Sequence, residues 1–62
     1  MNIELKKLII NYIIDNINEF QLCNSCITKF RPYIFDEEGD CLIGGDDVYE
    51  FIVASIELLT TK

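Results

Sequence analysis

Sixty-two residues allow a single domain, residues 1–62, and a net charge of −6 with no histidine sets it against phosphate and anionic lipid. Direct nucleic-acid binding and membrane association are therefore not expected, and a protein partner with a basic surface is. Half of the residues are apolar, whereas a chain of this size buries only about 60% of the surface it exposes when unfolded, so self-association, most simply as a homodimer, is expected.

The first predicted element is a helix over residues 2–20. At 100° per residue its apolar positions sweep roughly 240° of the helix wheel, leaving Lys7, Asn18, Asn11, Glu4 and Asp15 on a narrow polar stripe. A helix facing one core needs an apolar stripe of little more than about 100°. The excess marks Ile3, Ile10, Ile13, Ile14 and Ile17 as candidates for contact with a second copy. Lys6 and Lys7 before an apolar run resemble the start of an export signal, but Asn11 and Asp15 interrupt it and no small-residue cleavage site follows. The expected location is cytoplasmic, with the three cysteines reduced. Eleven isoleucines against the single Ala54 point to an AT-rich genome, bacterial or phage.

Residues 21–28 read as a linker carrying Cys23 and Cys26, which makes both cysteines dispensable for folding. Residues 29–35, with Phe30, Tyr33, Ile34 and Phe35, read as a strand that Pro32 confines to an edge. Asp36-Glu37-Glu38-Gly39-Asp40 is a turn in which Gly39 is free to take positive φ. Cys41-Leu42-Ile43 returns as a second short strand, and Gly44-Gly45 ends the hairpin. A second helix follows, with Asp47 as cap and Glu50 completing a capping box. The expected fold is α+β, a small helix–β-hairpin–helix (αββα) domain.

Two sets of residues invite chemistry. Asp36, Glu37, Glu38, Asp40, Asp46, Asp47 and Glu50 fall in one stretch free of basic residues, which lie at Lys6, Lys7, Lys29, Arg31 and Lys62. This reads either as a solvated turn plus a helix start, where acids complement the dipole, or as a negative face for a basic partner. A calcium loop does not fit, because Cys41 stands where the pattern needs glycine after the third acidic position. The second set is the C-x2-C pair Cys23 and Cys26 together with Cys41. Buried small apolar side chains account for all three, with no cofactor; metal ligation or a redox pair are the alternatives.

Two partial resemblances involve these segments. Cys23 and Cys26, then Cys41 and Gly44 at the spacing of a second pair that has lost its last ligand, resemble a degenerate zinc ribbon over residues 23–44. That resemblance implies zinc held by Cys23, Cys26 and Cys41, with Asp40 or Asp36 closing the site. Pro32-Tyr33-Ile34-Phe35 followed by Leu42-Ile43-Gly44-Gly45-Asp46-Asp47-Val48 is similar to the closing half of a glutaredoxin, a thioredoxin-like fold. Over residues 32–48 it implies a proline-led strand, a return strand and a helix start. It does not extend to glutathione chemistry, because the C-x2-C pair lies too close to Pro32.

Catalysis is not expected. There is no histidine base and no glycine-rich phosphate loop, and the carboxylates occupy a turn instead of an apolar pocket that would raise a pKa. The expectation is a non-enzymatic acidic protein-binding module, an inhibitor or regulator of its partner, of the kind a phage or plasmid encodes, with mimicry of DNA as one way of acting. A small cysteine-based metal-binding regulator and a structural assembly subunit are the alternatives.

Overall fold

A computed structural model describes residues 1–19 and 21–61. Four helices run in chain order: α1 (Ile3–Asp15), α2 (Leu22–Lys29), α3 (Arg31–Ile34) and α4 (Gly45–Thr60). The N-cap of α1 is Asn2, whose Oδ1 accepts the Leu5 N–H at 2.8 Å. The helix ends earlier than its apolar pattern suggests, because Asn16 caps it: Asn16 Nδ2 donates to the Tyr12 carbonyl at 2.8 Å while its backbone N–H bonds the same turn. Phe20, expected at the end of this helix, lies outside the described residues, as does Lys62.

The expected linker is helical. Leu22, Cys26, Phe30 and Ile34 are spaced four apart, so they line one side of α2 and α3, and all four are buried. Pro32 sits in the first turn of α3, where a missing N–H costs nothing. The same residue explains why α2 does not simply continue. A proline at 32 withholds the hydrogen bond to the Thr28 carbonyl and its ring crowds that oxygen. The chain therefore breaks at Phe30 and restarts.

The α+β, helix–β-hairpin–helix expectation is thereby overturned. Among the described residues the only β pairing is an isolated antiparallel bridge between Phe35 and Cys41. The aromatic-rich stretch expected as a strand instead places Phe30 and Ile34 on one helical face, and Leu42-Ile43 is too short to extend a ladder before Gly44 turns the chain. The strands implied by the glutaredoxin resemblance are likewise not formed among these residues. The Gly39 turn does occur, with φ at 90°.

The start of α4 differs from the expected capping box. Its N-cap is Gly44, in the left-handed region with φ 84°, and no side chain caps the helix. Asp47 is therefore the third helical residue, one of two first-turn acids alongside Asp46. Gly45 is buried where α4 begins against the end of α3. A Cβ on Gly45 would collide with the Ile34 carbonyl oxygen and stand 3.1 Å from Cys41 Sγ.

The core consists of Ile9 and Ile13 from α1, Leu22 and Cys26 from α2, Phe30, Ile34, and Val48 and Ile52 from α4. Tyr12 meets Phe30 edge to face at 5.7 Å. Helix α4 packs against α1, α2 and α3 alike. The Cα positions span 36 × 23 × 15 Å, a slab too thin to cover every apolar side chain. Ile3, Leu8, Ile14, Ile43 and Leu58 are all more than half exposed. Among the described residues, no helix is long and apolar enough to cross a membrane.

Candidate functional site

The acidic segment is built from two short pieces tied together at their bases. In the loop between α3 and α4, Asp36 Oδ1 accepts the backbone N–H groups of Glu38 and Asp40, each at 2.9 Å. The Asp36 N–H donates to the Asp40 carbonyl at 2.8 Å, and the Gly39 N–H to the Asp36 carbonyl at 3.1 Å. Asp36 thus organises its own loop, while Glu37, Glu38 and Asp40 keep exposed side chains. Below the loop, the Phe35–Cys41 bridge closes the neck, and the Leu42 N–H donates to the Ile34 carbonyl at 2.8 Å.

The second piece is the start of α4, with Asp46 and Asp47 in its first turn and Glu50 in the next. Their charges complement the positive end of the helix dipole. Cys41 joins the two pieces: its thiol donates to Asp46 Oδ1 at 3.3 Å. That bond, with burial and the Asp46 charge adding to it, holds the Cys41 thiol above the ordinary thiol range, so it stays protonated at neutral pH. All seven acidic residues expected from the sequence are exposed. The base of the loop lies against the first turn of α4, so both groups of carboxylates belong to one end of the molecule. The Cys41–Asp46 tie has no regular sequence signal, since a spacing of five fits neither helix nor strand.

Beside this face lies a shallow cleft of about 410 Å³ lined by Arg31, Pro32, Phe35, Asp36, Glu37 and Leu42. The Arg31 guanidinium sits 5.3 Å over the Phe35 ring, a cation–π contact within the cleft wall.

The candidate metal residues are split. Cys23 and Cys26 are on α2, half-buried and buried respectively, while Cys41 is exposed beside α4. Among the described residues, no three cysteine, aspartate or glutamate side chains gather as a metal site would require. Cys26 belongs to the core, which corrects the linker reading of its dispensability: serine at 26 would bury a hydroxyl there.

Burial, reinforced by Cys23 and Glu19 nearby, pushes the Cys26 thiol up to about 11 from 9.0. The unfolded chain releases this proton near 9 and the folded chain only near 11, so across that window the unfolded state binds fewer protons. The contribution is present in full below pH 9 and is lost as pH rises towards 11. Urea midpoints of the wild type should therefore fall more steeply over this range than those of Cys26→Ala. Parallel curves would contradict the assignment.

The self-association candidates also separate. Ile3 and Ile14 are exposed, Ile10 and Ile17 half-buried, and Ile13 is fully enclosed in the protomer's own core, where it offers no surface. No known family model, curated protein or solved structure matches this chain.

Proposed function

We propose that the chain is a non-enzymatic, cytoplasmic module that binds the basic surface of a protein partner and inhibits or regulates it. Its working face is the loop carrying Glu37, Glu38 and Asp40 together with Asp46, Asp47 and Glu50 of α4. One observation carries the reading: the Cys41–Asp46 hydrogen bond fastens the acidic loop to the acidic helix start, so like charges are held together although their repulsion opposes folding. Carboxylates fixed in this way offer a basic surface what the phosphates of a nucleic acid would offer it, and the partner is one whose basic site serves other business. Two copies of the module associate through the exposed isoleucines of α1.

The test is charge reversal of Glu37, Glu38 and Asp40 to lysine in one protein, sparing Asp36 because it holds the loop. All three side chains are exposed, so the far-UV spectrum should be preserved. Against a partner isolated by affinity capture, the association rate should fall by about tenfold or more and lose most of its dependence on salt, with a smaller change in dissociation. An unchanged salt dependence in the triple variant would remove the acidic face from consideration.

A further inference from the structure

The turn that follows the acidic loop presents an apolar residue the fold does not use. Leu42-Ile43-Gly44-Gly45 is a hydrogen-bonded β-turn: the Gly45 N–H donates to the Leu42 carbonyl at 2.8 Å. Gly44, with φ 84° and ψ −2°, has the backbone of the third residue of a type II turn, which places Ile43 second. Both ends of the turn are pinned, Leu42 by its N–H to the Ile34 carbonyl and Gly45 by its close seat against that same oxygen. Ile43 is 108% exposed, as open as a side chain in a free peptide. The second position of such a turn accepts proline or a polar residue equally well, so neither the turn nor the core calls for isoleucine.

Its surroundings suggest what does. Leu42, next in the chain, is partly exposed and lines the cleft described above together with Pro32 and Phe35, beside Arg31, Asp36 and Glu37. On the other side of the turn stand Asp46 and Asp47. A projecting aliphatic side chain and an apolar hollow thus lie side by side between two groups of carboxylates. Apolar anchors within a charged rim are how protein interfaces concentrate their affinity. Because the turn is held at both ends, little freedom is lost when the anchor docks.

We infer that Ile43 is the apolar anchor of the acidic face, and that the partner surface it fits interleaves aliphatic and basic side chains. The inference rests on the proposed acidic face and names the chemistry of its partner. Ile43 enters a socket between basic residues, and the aliphatic stem of a partner lysine or arginine lies along Leu42 and Pro32 with its charge towards Glu37, leaving Phe35 to the chain's own Arg31. A purely cationic surface satisfies the carboxylates but leaves Ile43 in water, and a lipid surface is opposed by the same charges.

The probes are two short synthetic peptides of equal positive charge, one alternating lysine with leucine at helical spacing and one with serine in place of leucine. Binding is measured by titration calorimetry, and the perturbed amides are located by NMR. The lysine–leucine peptide should bind the wild type roughly tenfold to a hundredfold more tightly, the range set by burying one aliphatic side chain. Ile43→Ser should remove most of that advantage and leave the lysine–serine peptide unaffected. Leu58→Ser, an equal apolar loss at 78% exposure near the far end of α4, should leave both peptides unaffected. If the two peptides bind equally at the acidic face, or if Ile43→Ser and Leu58→Ser have equal effects, the anchor is refuted and the acidic face stands. If neither peptide perturbs amides of residues 36–50, the acidic face itself fails.

Discussion

Gly45→Ala is expected to leave the protein largely unfolded at room temperature. The added methyl group would meet the Ile34 carbonyl oxygen, a backbone atom that cannot swing aside, and Cys41 Sγ lies 3.1 Å away on another side. Relief requires α4 to draw back from α3, which loosens the core that Ile34 and Val48 share. Overpacking of this kind costs about 3 kcal/mol, and a core this small supplies a net stability of only about 3–5 kcal/mol. Gly39→Ala is the control. Its φ of 90° strains an alanine, but nothing lies within 4 Å of the added atom, so the loss should be about 1–2 kcal/mol. Thermal melts followed by far-UV circular dichroism should place Gly39→Ala about 5–15 °C below wild type, with Gly45→Ala lacking a cooperative transition. A Gly45→Ala melt matching that of wild type would mean that α3 and α4 do not meet as closely as described.

The second large effect separates two neighbours on α1. Ile13 is fully buried and Ile14 is 51% exposed. Truncating Ile13 to alanine leaves a cavity in the core and should cost about 2–5 kcal/mol, comparable to the whole stability of the domain. Ile14→Asp changes a side chain already facing water, so the fold should persist. Together with Ile3 and Ile10 it forms the seam expected between two copies. Ile14→Asp should therefore convert a dimer into a monomer of 7.2 kDa by light scattering, with an unchanged helical spectrum. A wild type that already scatters as 7.2 kDa at micromolar concentration would end the dimer proposal.

The sequence discloses the outer helices better than the segment between them. The apolar arc of α1 is wide and the start of α4 is marked by its acids, and both helices form, although α1 ends at Asp15, five residues before the expected 20, and α4 begins at Gly45, ahead of the expected Asp47 cap. The missed helices carried a signal of their own in the four-residue spacing of Leu22, Cys26, Phe30 and Ile34. Two features compete with it in the sequence: the C-x2-C pair fits metal chemistry, and Pro32 fits an edge strand. Proline is compatible with both an edge strand and a first helical turn, and only the burial of Phe30 and Ile34 on one side decides between them. The acidic residues were legible because charge density needs no geometry. The use of Asp36 inside its loop, the Cys41–Asp46 bond and the display of Ile43 were not, since each depends on how the chain returns from α3 to α4.

That α4 touches every other helix has a consequence for how the molecule comes apart. Without α4, the core is reduced to α1 and α2 plus one turn of α3, and helices of 13 and 8 residues are barely stable in water on their own. No subset of the fold is then able to persist while α4 detaches, so amide protons near Val48 and Ile52 should exchange with solvent only when the whole chain opens. The covalent link between α4 and the rest is the acidic loop alone. A protease nick near Glu38 would leave two peptides, and the shorter one would supply a full wall of the core. Those peptides should recombine into the native arrangement when mixed, and neither should fold by itself.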